Sequence, residues 1–366
     1  MLGEVIDRGQ LGIGSDDYEQ DVPTKINDIS NIEDIYVCEH SIYAITQDGS
    51  LYAWGNNEYY GQLGIGNIET KYQTLPTKIE NLNNVDKIYY DSSSRCAKTK
   101  TGEVYAWGRN YYGQLGIGNT ENQSSPIKVN GITNVEEIYR KGASTFAKTN
   151  TGEVYAWGKN NEGQLGIGNK ENQNIPVKVS NLSNVDNIYV CFGGYGFAQL
   201  NSGEVYAWGK NDKGQLGIGN TEDQSIPVKI NELANVEEIY MNSSSIYAKT
   251  KTGEVYAWGE NDEGQLGLGN TENQNVPTKI EGLPNVANFL DGAIITSDGK
   301  LYSIRGKDYL PELITLDGKL YNNGEYVEGI GEDCLEGENY IRYFKFIYST
   351  NNVYINLHSI ELEDPD

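Results

Sequence analysis

Side chains capable of chemistry are present in this chain but badly placed for it. Ser92–Ser94 and Ser243–Ser245 offer hydroxyl nucleophiles, yet a serine needs a base within hydrogen-bond reach. The chain holds 2 histidines, His40 and His358, and His40 belongs to a different sequence repeat from either serine run. Two histidines also exclude a histidine-rich metal centre. Acidic pairs such as Glu136-Glu137 recur from copy to copy, which marks a solvated face rather than an acid–base pair. The phrase GQLGIGN lacks the Lys-Ser/Thr ending and the following helix of a phosphate loop. Acidic phrases such as GNTEDQ lack the spaced oxygen ligands of a calcium loop. Of the 4 cysteines, Cys38 and Cys191 sit in the same IYVC phrase three repeats apart, so all are expected as thiols. No catalytic residue, metal site or cofactor is expected, and the chain reads as non-enzymatic.

Binding is the chemistry left. Tyr59, Tyr60, Tyr111 and Tyr112 form two aromatic pairs in neighbouring repeats, the composition of an interface hot spot; alternatively, they pack across the boundary between repeats. Arg95, Arg140 and Lys141 make a small basic group that could grip a partner's carboxylate, or stand as separate surface charges. Phe192 and Tyr195 occupy a lengthened loop, as contact residues or as a plug in a central channel. The overall charge limits the partner. With 52 acidic and 28 basic residues the formal net charge is −24, so nucleic acid and anionic membrane would be repelled. No run approaches the ~18 apolar residues of a membrane span, and MLGEVIDRGQ lacks the apolar core of a signal peptide. A protein partner and a monomeric state are expected.

These candidates are held by a repeat. YAWG occurs five times, with Trp54, Trp107, Trp157, Trp208 and Trp258 spaced 53, 50, 51 and 50 residues apart. GQLG occurs six times, from Gly9, Gly61, Gly113, Gly163, Gly214 and Gly264. Each unit offers four strands. An IY phrase comes first, then an apolar–polar stretch, a Thr-Gly or Asp-Gly hairpin turn, and EVYAW. In EVYAW, Val104 and Ala106 point one way and Tyr105 and Trp107 the other, so that strand is buried on both faces. The fourth strand is Pro-x-Lys-Ile/Val. Its proline cannot donate to a ladder and its lysine guards an open edge, which places it outermost. Four-stranded units of ~50 residues stacked face to face predict an all-β propeller.

The phrase YAWGxNxxGQLGxGN closely resembles the repeat of the regulator of chromosome condensation family, in a bacterial-type member, over roughly residues 3–306. The resemblance implies a seven-bladed β-propeller. This chain departs from the family where a glycine and a histidine usually precede the second strand: Cys38, Asp91, Lys141, Cys191 or Asn242 stands at the first position. Ser41, Ser94, Ser144 or Ser245 stands at the second. The copies diverge most in the 1–2 loops and at the tip of the 3–4 connections, which emerge on one face, whereas the 2–3 turns are nearly identical. That face is the expected surface for an unidentified protein partner. Guanine nucleotide exchange on a small GTPase, or capping of an enzyme such as a β-lactamase, are the alternatives the resemblance implies.

The expected organisation is one domain over 1–366. Its units fall near 1–30 (partial), 31–82, 83–132, 133–182, 183–233, 234–283 and 284–316 (degenerate), with 317–338 an insertion and 339–358 the closing strands. Both chain ends would then build the seventh blade, residues 22–26 supplying the outer strand and 339–357 the other three. Deleting residues 339–366 should open the ring and lower the thermal midpoint sharply; unchanged unfolding would refute the closure.

Overall fold

The computed structural model describes residues 9–14 and 24–283, apart from Glu39, Tyr59 and Ser92, together with the strands named below beyond residue 283. Among the described residues there is no helix. The first unit gives strands β1 (Ile32–Cys38), β2 (Ser41–Thr46), β3 (Leu51–Asn56) and β4 (Tyr72–Lys78), hydrogen-bonded in that order. The same order recurs in β5 (Val85–Tyr90), β6 (Ser94–Thr99), β7 (Val104–Gly108) and β8 (Gln123–Lys128). The third unit is β9 (Val135–Lys141), β10 (Ser144–Thr149), β11 (Val154–Gly158) and β12 (Gln173–Lys178). The fourth is β13 (Val185–Val190), β14 (Tyr195–Leu200), β15 (Val205–Gly209) and β16 (Gln224–Lys229). The fifth is β17 (Val236–Asn242), β18 (Ser245–Thr250), β19 (Val255–Gly259) and β20 (Gln274–Lys279). These antiparallel sheets are the blades of a β-propeller.

Chain chemistry explains the blade. Register on the central strands is regular, with Phe146 opposite Tyr139 on one side and Ala156 on the other. It slips between Ala156 and Gly158, where the long 3–4 connection leaves the ladder. Among the first strands, β9 lies against β5 on one side and β13 on the other. The fourth strands form the outer edge, and Lys128, Lys178, Lys229 and Lys279 each pair there with the glutamate just before strand three: Glu103, Glu153, Glu204 and Glu254. Such exposed pairs add little stability; their use is at the edge.

The core lies between blades rather than within them. Cys96, Val104, Ala106 and Leu115 of the second blade pack with Val135, Ile138, Ala147 and Trp157 of the third. Each tryptophan crosses the boundary to the preceding copy of GQLG. Its Nε1 donates to the glutamine carbonyl: Trp54 to Gln10 (2.9 Å), Trp107 to Gln62 (2.9 Å), Trp157 to Gln114 (3.1 Å), Trp208 to Gln164 (2.8 Å) and Trp258 to Gln215 (2.9 Å). The second glycine of GQLG must be glycine. At Gly116, with φ of +70°, a Cβ would come within 2.7 Å of the Trp157 indole nitrogen.

A buried asparagine clips each long connection. Asn160 is fully buried; its Oδ1 accepts the Leu165 amide at 2.9 Å, and its Nδ2 donates to the carbonyls of Asn169 and Glu171, both at 3.0 Å. Asn110, Asn211 and Asn261 repeat this pattern. The GQLG leucines Leu63, Leu115, Leu165, Leu216 and Leu266 are fully buried. The glutamine side chain bonds to backbone in the same connection, Gln114 Oε1 accepting from the Tyr112 amide at 2.8 Å.

By contact, residues 1–282 form one compact unit and 283–366 a second. The second holds β21 (Val286–Leu290), β22 (Ala293–Thr296) and β23 (Leu301–Ser303), paired in that order as the degenerate sixth unit requires. A short three-stranded sheet follows, β24 (Leu313–Ile314), β25 (Leu320–Asn322) and β26 (Glu325–Tyr326), where the sequence suggests the start of an insertion. The expected closure falls largely outside the described residues, which omit Val22, Pro23 and 339–342; Thr24–Ile26 carry no strand. In the closing segment, β27 (Tyr343–Ser349) pairs antiparallel with β28 (Asn352–His358). In the first blade, Ile35 is 51% exposed, whereas its copies Ile88, Ile138, Ile188 and Ile239 are at most 4% exposed.

The clip generates a stability prediction. Asn160→Ala strands one buried amide and two carbonyls, each costing about 1–3 kcal/mol, so denaturant unfolding should show a loss of roughly 3 kcal/mol or more. The exposed neighbour Asn161→Ala should stay within about 0.5 kcal/mol.

Candidate interaction face

The two ends of each blade differ in what holds their loops. On one end, the 2–3 turns are locked to the next blade. The Gly49 carbonyl of the first blade accepts the Val85 amide of the second at 3.0 Å, and within the second blade the Lys100 amide holds the Asn84 carbonyl beside it at 2.8 Å. Asn84, Asn134, Asn184 and Asn235 each hold φ of 53–55° to make this contact. The near-identity of the TGE turns therefore has a packing cause. At the other end the 1–2 loops and 3–4 connections meet, and here the copies diverge.

The residue before GQLG faces the residue after YAWG in the next blade. Tyr60 takes the Arg109 guanidinium over its ring at 5.5 Å, Tyr112 takes the Lys159 ammonium at 5.8 Å, and Lys213 pairs with Glu260 at 2.8 Å. At the same place between the third and fourth blades, Glu162 acts on Lys210 by charge. Tyr60 and Tyr112 thus lie at blade boundaries, the packing alternative named above, while keeping part of their rings in solvent. Tyr111 stands edge-on to Tyr112 at 5.4 Å and is 72% exposed. Tyr59 lies outside the described residues. Arg109 and Lys159 went unnoticed in the sequence; aligning the position after YAWG across copies (Asn56, Arg109, Lys159, Lys210, Glu260) against the position before GQLG would have revealed the pairing.

The basic group divides. Arg95 is 2% exposed and thus is not a surface grip. It donates to the Asp91 and Ser94 carbonyls and to Ser41 Oγ (3.1 Å), which belongs to the first blade, and lies against the Tyr43 and Tyr90 rings. Arg140, from the third blade, is equally buried in its side chain and reaches Ser94 Oγ at 2.6 Å and Asp91 at 3.3 Å. Burial alone would raise the Asp91 carboxyl. The Arg140 charge, with hydrogen bonds from Ser94 and Ser93, more than offsets that and holds it below its ordinary 3.8. These arginines tie three blades together. Burial corrects the expectation for both, because a desolvated guanidinium is kept for its internal partners.

Lys141 remains exposed, its ammonium over the Phe192 ring at 4.7 Å. Phe192 is 75% exposed, so it is no channel plug. Tyr195 is 2% exposed and its hydroxyl donates to the Ser243 carbonyl of the fifth blade, which removes it from the contact set. Phe192 sits in the longest described 1–2 loop, whose shape comes from the Cys191 thiol accepting the Gly193 amide at 3.2 Å. Cys38, Cys96 and Cys191 are thiols rather than disulfides, and burial pushes Cys96 up to about 12. Cys334 lies outside the described residues. Beside this loop a cavity of about 290 Å³ opens between the third and fourth blades, lined among others by Lys141, Lys159, Glu162, Cys191, Phe192 and Lys210. Among the described residues, no group of three or more His, Cys, Asp or Glu is placed to hold a metal ion.

Asp91→Asn should destabilise by about 3–5 kcal/mol, since it leaves the buried Arg140 guanidinium without its carboxylate. The depressed pKa means this contribution is complete above about pH 4 and is lost as pH falls through the folded value. Acid titration of stability should show that step in the native chain and lose it in the variant.

Comparison with known proteins places these features in a family. The model of the "Regulator of chromosome condensation (RCC1) repeat" matches residues 48–91, 101–140, 151–198, 202–243 and 252–293, more than half of the chain. Over 117 residues the chain is 36% identical to the ultraviolet-B receptor UVR8 of Arabidopsis thaliana, covering 31% of this chain and 26% of the receptor. Over 118 residues it is 36% identical to the human E3 ubiquitin-protein ligase HERC2, covering 31% of this chain and 2% of the ligase. The chain therefore spans about a quarter or less of these relatives' lengths. Among solved structures, human WBSCR16 superposes with a TM-score of 0.54 at 24% identity, covering 70% of this chain and 69% of that one. Prp20p of Saccharomyces cerevisiae does so with a TM-score of 0.53 at 22% identity, covering 68% of this chain and 63% of that one. These likenesses concern the propeller fold.

Proposed function

Because this chain belongs to the regulator of chromosome condensation (RCC1) repeat family, we propose that it is a non-enzymatic interaction propeller that binds a partner protein through the face of its 1–2 loops and 3–4 connections. The observation that carries this reading is the contrast between the two ends of the blades. One end repeats the same turn, consumed by blade-to-blade contacts. The other varies from copy to copy and exposes Tyr111 and Phe192 to 72% and 75%. Large exposed aromatics cost solubility unless something covers them, and they are the residue types that dominate interface energetics. A similar propeller supports a binding role: Prp20p has binding properties to Gsp1p and histones.

A net charge of −24 favours a protein partner over nucleic acid or an anionic membrane. Capture of the partner from native lysate, followed by titration with single variants, tests the reading. Tyr111→Ser and Phe192→Ser should each weaken binding by about 2 kcal/mol or more, with melts within about 0.5 kcal/mol of the native chain. Normal binding by both variants would overturn the choice of face. Accelerated nucleotide release from a small GTPase would favour the exchange-factor alternative.

A further inference from the structure

The cavity between the third and fourth blades has a charge its surroundings do not explain. In a chain of net charge −24, three of its lining side chains are lysines: Lys141, Lys159 and Lys210. Lys210 is matched by Asp212 at 3.0 Å and by the charge of Glu162. Lys141 and Lys159 reach no carboxylate at ion-pair distance among the described residues. Each ammonium instead lies against an aromatic ring, Phe192 at 4.7 Å and Tyr112 at 5.8 Å. By contrast, the lysines of the outer edge pair with glutamates.

We propose that this cavity receives one carboxylate from an acidic segment of a partner protein, the oxygens meeting Lys141 and Lys159 while an adjoining apolar side chain lies on Phe192. The inference rests on the interaction-face reading and names the chemistry of its anchor. A single carboxylate suits the site better than a polyanion. Exposed charges are screened beyond about 8 Å, so a carboxylate inside the cavity feels its lysines and little of the acidic remainder. A nucleic acid, with its closely spaced phosphates, would run out onto that remainder and be repelled. Volume is consistent with this: about 290 Å³ accepts a side chain and lies at the lower limit of small-molecule pockets. The floor is rigid, since Tyr195 is buried and hydrogen-bonded to Ser243 beneath the loop, which limits the entropy lost on binding.

The test is a nuclear magnetic resonance titration of the full chain with the capped peptide acetyl-Leu-Glu-Leu-amide, its Gln counterpart, inorganic phosphate and oligothymidylate. The Glu peptide should shift the Gly142, Gly193 and Gly194 amides saturably. The Gln peptide should bind at least tenfold more weakly, and so should the Glu peptide to a Lys141→Met, Lys159→Met variant with an unchanged melt. Equal binding of the two peptides, or undiminished binding by the lysine variant, would overturn the proposal. So would phosphate binding as tightly as the Glu peptide, which would mark a generic anion site, or tighter binding of oligothymidylate. The partner assay separates this idea from the reading beneath it. If Tyr111→Ser abolishes partner binding and the lysine variant leaves it intact, the interaction face stands and the carboxylate site falls.

Discussion

The described blades depend on one hydrogen bond made repeatedly: a tryptophan indole N–H donating to the glutamine carbonyl of the preceding GQLG. It is buried, so each partner left unmade would carry the full cost of desolvation. It also sets a distance. The indole can approach the carbonyl only because the next glycine has no side chain to obstruct it. The ring then covers the leucine between them, and one contact supplies a polar tie, an apolar seal and a fixed spacing from blade to blade. Five such bonds, from Trp54 to Trp258, run through the described residues.

From that constraint follows the asymmetry of the two ends. Residues that position the tryptophan and its neighbour's turn cannot vary without loosening a boundary. The asparagine clip and the left-handed asparagines beneath the 2–3 turns are of this kind, and they recur unchanged. The opposite end is relieved of the task, because the GQLG segment already bridges the boundary below it. Its loops can differ in length and charge without disturbing the core. Complementarity is nonetheless kept where side chains meet across blades, as tyrosine with arginine or lysine, and lysine with glutamate. Cation–π contacts of this exposed type are worth about 0.5–1 kcal/mol, enough to order a surface without committing it.

Electrostatics divides along the same line. Two arginines that could have decorated the surface turn inward at Asp91, one to its carbonyl and one to its carboxylate, and tie three blades together. Of the lysines left on the face, Lys141 and Lys159 keep their ammonium groups against aromatic rings, while Lys210 and Lys213 pair with carboxylates. An acidic protein thereby presents a local basic patch whose reach is limited by screening to its own cavity.

The strand pattern, the period and the outer edge were legible in the residues alone, because alternation, turn glycines and strand prolines report on local geometry. So was the burial of the GQLG leucines, since a residue repeated without variation at one register must meet the same surroundings each time. Side chains in the variable loops were a different matter. Arg95 reads as a surface charge and Tyr195 as a contact residue or a channel plug, yet both lie at the start of a strand and are buried, the neighbouring blade supplying Ser41 to one and the Ser243 carbonyl to the other. Phe192, in the loop beside Tyr195, is left outside. Whether a loop residue faces solvent is decided by what the next blade places beside it, and that neighbour lies some 50 residues away in sequence. Local pattern determined the blade; only the packing of one blade on the next determined which of its loop side chains a partner can reach.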